Sequence, residues 1–286
     1  MLSELCRQGY GEVEVHIHHD RDTKANLHRT LTEFCKRLAD RHGLLPRDRR
    51  TGAVRYGFIH GDWALDNSRP DGQCCGVENE LEVLKQTGCY ADFTLPSAPS
   101  PAQTRTINSI YYARGIPGRN RSHDYGIAAG TAVAPADALL LIQGPLGLNW
   151  RQRKWGVLPR LENGCLQASQ PPDIARLPSW LRARVQVRGR PDWLFVKLHA
   201  HGAPEESHPT LLGEPMVRFH DALARFAKLN PAFQYHYVTA REMCNLVHAV
   251  EDGWYGSVYD ARDYRLVMSN QVDNSARVDI QDSLTT

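Results

Sequence analysis

No part of the 286-residue chain approaches the roughly 18 consecutive apolar residues that a membrane-spanning helix needs, so no bilayer span is expected. No Cys-x-x-Cys pair occurs among the seven cysteines, which excludes zinc ribbons and thioredoxin-like redox chemistry. An odd cysteine count that includes adjacent Cys74 and Cys75 is also no disulfide framework, and reduced thiols are expected. Glycine-rich phosphate loops and dinucleotide fingerprints are missing, so no nucleotide cofactor is expected. Charge of one sign is missing too. Lys and Arg number 34 against 32 Asp and Glu, and the net +2 is spread along the chain, so neither nucleic acid nor an acidic membrane surface is an expected partner. Residues 1–11 have no apolar core of the signal-peptide kind; with reduced thiols, this makes a cytoplasmic setting the expectation.

What the chain has is histidine in places that suit a metal. Glu12-Val13-Glu14-Val15-His16-Ile17-His18-His19-Asp20 alternates like a strand and runs into three imidazoles and a carboxylate. Strand geometry puts His16 and His18 on one face while His19 turns away. Neutral imidazole and carboxylate are good ligands for a divalent ion such as zinc, so His16, His18, His19 and Asp20 are the candidate metal ligands. A second His-x-His, at His199 and His201, lies far along the chain.

Between these motifs strands alternate with helices. Asp22 or Thr23 caps a helix with apolar positions Leu27, Leu31, Phe34, Cys35 and Leu38, closed by Gly43. A strand over 56–59 ends in His60-Gly61-Asp62-Trp63, and a polar, glycine-containing loop over 66–76 follows. A helix over 78–86 and strands over 90–95 and 138–142 come next. Further helices are expected within 173–185 and over 215–229 and 240–250, with strands over 193–198 and 233–238. The stretch from about 96 to 135, rich in proline, serine and arginine, reads as a long insertion with one short strand, Ile110-Tyr111-Tyr112-Ala113. Residues 254–286 read as a terminal hairpin and tail.

This alternation predicts an α/β fold with a parallel sheet. A distorted or incomplete β/α barrel over residues 1–253 is preferred, because its strand ends would bring His16, His60, His199 and His201 to one mouth.

The motifs carry a family resemblance. Gly11-Glu12-Val13-Glu14-Val15-His16 resembles the early Gly-His-Glu-x-x-x-His segment of polysaccharide deacetylases, metal-dependent carbohydrate esterases with a NodB-type barrel, and Val196-Lys197-Leu198-His199 is similar to their late Leu-x-Leu-His motif. The resemblance implies a zinc-dependent hydrolase that removes acetyl groups from a carbohydrate. His16 would hold the metal, with His18 or Asp20 beside it, and His199 would be the catalytic histidine, acting as general acid or stabilising the tetrahedral intermediate. By position, His60, Trp63, Asp66, Asn67 and His201 would line the substrate groove and Asp62 would be a substitute base.

Departures are evident. Asp20 stands where the second metal histidine is usual, Ala200 where the late motif has aspartate, and no strand with an aspartate pair precedes Gly11. The expectation is therefore a chain that begins one β/α unit late, or a degenerate relative. Two rivals remain: a His-x-His hydrolase of the amidohydrolase or phosphoesterase kind, and a non-catalytic carbohydrate-binding protein.

Overall fold

A computed structural model of the chain describes residues 1–130 and 133–268. The central sheet contains β1 (Val15–Ile17), β3 (Tyr56–His60), β4 (Cys89–Asp92), β5 (Ile110–Ala113), β6 (Ile127–Ala128) and β7 (Leu139–Ile142), in the order β1-β3-β4-β7-β5-β6. The first four strands of that order are parallel; β5 runs antiparallel to β7, and β6 antiparallel to β5. The mixed α/β class is as expected, but among the described residues the sheet is open, with edges at β1 and β6. The expected insertion supplies β5 and β6, so part of it belongs to the sheet.

Pleating decides what each face buries. In β7, Leu139 and Leu141 enter one apolar cluster with Leu27, Leu31 and Cys35 of α2 (Lys24–His42) and Leu81 and Leu84 of α3 (Glu80–Gln86). Leu140 and Ile142 enter a second cluster with Cys244, Leu246 and Val247 of α7 (Ala240–Glu251). Each fully buried leucine removed from water contributes about 2 kcal/mol, so the two faces dominate stability.

The helix ends follow the sequence closely. Thr23 caps α2 by accepting from the Asn26 amide, and Gly43 closes it in the left-handed conformation. Thr239 and Glu242 form a reciprocal capping box on α7.

The remaining elements flank the sheet. They are α1 (Leu2–Arg7), β2 (Pro46–Asp48), the hairpin of β8 (Gly147–Lys154) and β9 (Leu158–Glu162), β10 (Cys165–Leu166), α4 (Leu177–Ala183), β11 (His199–Ala200), α5 (His208–Leu211), α6 (Glu214–Leu229) and β12 (Leu266–Met268). None of the helices among the described residues is long and apolar enough to cross a membrane.

Two expected strands and the expected hairpin differ. Residues 193–198 form no sheet strand; the Phe195 amide instead donates to Val185 O, and the run splits between two apolar clusters. Residues 233–238 are also irregular, with Phe233 and Tyr235 packed toward α4 and α6. Beyond Gly253 the expected hairpin is a series of turns leading to β12, which pairs antiparallel with β2; residues 269–286 lie outside the described part.

Candidate metal centre and cleft

The parallel strands deliver their carboxyl ends to one rim. Register places His16 beside Ile59 and Ile17 beside His60, so the histidines in and just after β1 meet His60 at the end of β3. Gly61 permits this approach: a Cβ there would lie 2.6 Å from His18 Cγ and 2.8 Å from Ile17 O. After it, Asp62, Trp63, Asp66 and Asn67 all have left-handed backbones, with φ between 52° and 56°. Aspartate and asparagine tolerate that region, whereas Trp63 is strained there, a pattern common at functional turns.

As expected from alternation, His16 and His18 share a face and His19 faces the other way. Their outer ring nitrogens are anchored. His16 Nδ1–H donates to the Ile59 carbonyl and His18 Nδ1–H to Asp62 Oδ2, each at 2.9 Å. Because a carbonyl and a carboxylate only accept, both anchors put the ring hydrogen on Nδ1. The two Nε2 lone pairs then face one another at 2.9 Å. Two lone pairs at that distance repel unless a cation lies between them, and Nδ1 anchoring of this kind is how metal-ligating histidines are oriented. Both rings are exposed to solvent.

Behind them is a second, closed cluster. His19 Nε2 lies 2.9 Å from His60 Nε2, and Glu80 Oε1 lies 3.2 and 3.4 Å from these two atoms. Cys75 Sγ completes a group whose ligand atoms all fall within 4.8 Å of one another. Glu80 is fully buried, and its other oxygen accepts from the Asp66 amide at 2.7 Å. Burial opposes charge on Glu80, but His60 and His19 outweigh it and hold its carboxyl below the usual range. His60, almost wholly buried, is pushed down by desolvation. The chain therefore has histidine, cysteine and glutamate groups that could hold a metal ion. A further group joins Cys165, His199 and His201.

A cleft of about 550 Å³ opens beside the first pair. Glu14, His16, His18, His60, Asp62 and Trp63 line one side, and Lys197, His199 and His201 come from the other. The early and late His-x-His motifs thus meet across one space. His199 is held by the pairing of β10 with β11, which Arg176 braces by a bidentate contact to Glu162 and a hydrogen bond to Cys165 O. Burial pushes the His199 imidazole down to about 3, with Lys197, His201 and Arg176 adding to the effect, and its Nδ1 has no partner. At neutral pH it is a neutral imidazole. It suits hydrogen bonding better than either proton delivery as imidazolium or proton acceptance.

Lys197 lines the cleft and donates to Phe93 O at 2.5 Å and Leu95 O at 2.6 Å. Burial pushes its ammonium down to about 8, against the pull of Asp92. Asp92, raised by burial to about 7, accepts from Thr94, whose hydroxyl accepts in turn from the His60 amide.

Of the other sequence candidates, Asp20 is exposed and accepts from the Cys74 amide at 2.6 Å. Asp66 is fully buried, bridging the Glu80 and Ser122 amides, and Asn67 accepts from the Gly76 amide. These two are scaffold and do not line the cleft. Sequence reasoning missed Glu14, Cys75, Glu80, Asp92 and Lys197. Glu14 had a signal, since it lies two residues before His16 on the same strand face; burial, with Glu12 adding, pushes its carboxyl up to about 7. Comparison with protein families, with characterised proteins and with solved structures finds no match to this chain.

Proposed function

We propose that this chain is a metal-dependent hydrolase, similar in plan to polysaccharide deacetylases, that removes acetyl groups from a carbohydrate in the cytoplasm. One observation carries the reading: His16 and His18, anchored through Nδ1 and with their Nε2 atoms facing, look across a single cleft at His199 and His201. In this reading the parallel strands β1, β3, β4 and β7 are the part of a distorted barrel that builds the site.

His16 and His18 would hold the ion, leaving positions open to the cleft as catalytic sites require. A divalent ion such as zinc supplies Lewis acidity toward a carbonyl and lowers the pKa of water. Asp62 is a positioning residue, because its Oδ2 is engaged in orienting His18. Glu14, on the same face as His16, is the cleft carboxylate free to take the proton from water. His199, as a neutral imidazole, donates a hydrogen bond to the oxygen on which charge develops. Trp63 and His201 meet edge to face at 5.5 Å and offer an apolar ledge to a sugar ring.

Acetate release from acetylated glycans tests this. The wild type should release acetate, lose the activity to a chelator, and lose about 100-fold or more in kcat on His199→Ala. Acetate release that survives loss of both His16 and His199 refutes the mechanism. Glycan binding with no turnover points instead to a carbohydrate-binding protein, and chelator-sensitive phosphoester hydrolysis to the other class of His-x-His hydrolase.

A further inference from the structure

The cluster behind the cleft has a geometry that the proposed hydrolysis does not use. Zinc bound to nitrogen and oxygen at about 2.0–2.2 Å in a tetrahedron sets neighbouring ligand atoms roughly 3.3 Å apart. The His19, His60 and Glu80 atoms form a triangle with edges of 2.9, 3.2 and 3.4 Å. Two of the three are oriented from outside by hydrogen bonds: His60 Nδ1–H donates to Gly61 O at 2.5 Å and Glu80 Oε2 accepts from the Asp66 amide, while His19 Nδ1 lies 3.2 Å from Asp22 Oδ2 without a hydrogen bond. Glu80 Oε1, fully buried, has no hydrogen-bond partner. Cys75 Sγ, 3.6 Å from the other Glu80 oxygen, approaches as a fourth corner.

We infer that His19, His60, Glu80 and Cys75 form a second, closed metal centre that takes zinc and serves structure. Side-chain exposure decides between closed and open: His19 is 8 % exposed, while His60 and Glu80 are at 0 %. A substrate has no way to reach such an ion, whereas an ion on His16 and His18 faces the cleft. The centre joins the turn after β1, the end of β3, the loop before α3 and α3 itself. It therefore pins the two segments that carry His18 and Asp62. The inference stands whether or not the cleft hydrolyses anything. The competing occupant is a proton on His19 shared with Glu80 and Asp22.

The full chain, produced with zinc in the medium and desalted, is assayed by elemental analysis and thermal unfolding. His16→Ala/His18→Ala should retain one zinc per chain, and adding Glu80→Gln should remove it. Cobalt replacement should show a thiolate-to-metal charge-transfer band that vanishes in Cys75→Ser. Should Glu80→Gln fail to fold, the His16→Ala/His18→Ala parent decides: chelation should lower its melting temperature, and one equivalent of zinc should restore it. The inference is overturned if the double variant holds no zinc, if Glu80→Gln retains as much as its parent, or if chelation leaves the parent's melting temperature unchanged. A cobalt form without the thiolate band removes Cys75 from the ligand set.

Discussion

His123 should make this protein sensitive to mild acid, independently of any activity. It is fully buried in the short turn Ser122–Asp124, and neither ring nitrogen has a hydrogen-bond partner. Its backbone is held firmly, its carbonyl accepting from Tyr111 Oη at 2.6 Å and Thr104 Oγ1 at 3.2 Å. Burial pushes the imidazole from 6.5 down to about 4, with Asp124 and Glu80 pulling it up and Arg121 and His60 pulling it down. The sign follows from proton counting. Below about pH 6.5 the unfolded chain binds a proton that the folded chain refuses, so stability falls with pH until the folded pKa is reached. The pKa difference of 2.5 (6.5 less 4), at about 1.4 kcal/mol per unit, gives a ceiling of about 3.4 kcal/mol. About 2.5 kcal/mol of that is lost by about pH 4.5. For a domain with typically 5–15 kcal/mol in hand this is a large fraction.

Guanidinium unfolding of the wild type and His123→Leu, at about pH 7.5 and at about pH 4.5, isolates the effect, because other buried groups titrate in both proteins. The wild type should lose about 2.5 kcal/mol more than the variant across that range. At the higher pH the variant should match or exceed the wild type, since leucine deletes two unsatisfied nitrogens and orphans no partner. Parallel losses in the two proteins, or a variant several kcal/mol weaker at neutral pH, would refute the reasoning.

Arg241, 3 % exposed, grips both oxygens of Glu12 and also reaches Asp263 and Leu266 O, so Glu12→Gln should cost less than Arg241→Met, which should destabilise by about 3–5 kcal/mol in chemical denaturation. Gly76 has φ +89°, and a Cβ there would sit 2.7 Å from Arg21 Cα and Asp22 N; Gly76→Ala should cost about 2 kcal/mol or more and reduce zinc retention, both measured on one preparation. Glu14→Gln should lower kcat for acetate release at least 10-fold with little change in melting temperature; an unchanged kcat would remove Glu14 from the proton-accepting role.

Local chemistry made much of the fold legible. Thr23 and Gly43 bracket α2, Thr239 and Glu242 start α7, and the continuous apolar run of β7 serves two clusters. Parity along β1 separated His16 and His18 from His19. What was not legible depends on partners distant in sequence. Residues 193–198 are as apolar as a strand, yet Phe195 and Val196 go to different clusters and Lys197 is drawn to carbonyls after β4. Glu80 reads as an ordinary acidic first-turn residue of α3. Only tertiary structure shows that its carboxylate faces two histidines from other strands. His60 looked like part of a groove wall because it follows a strand; it lines the cleft and also turns Nε2 inward to His19.

The opposed directions of His18 and His19 have a consequence for how this region can change over generations. Side chains along an extended segment alternate with a period of two, so inserting or deleting one residue between His16 and His18 would turn His18 away from His16 and bring His19 toward it. Point substitutions remove one ligand at a time, but a single-codon length change would scramble both groups at once. Length variation should accordingly be purged from this turn and collect elsewhere, for example near Trp155, which is 77 % exposed between β8 and β9.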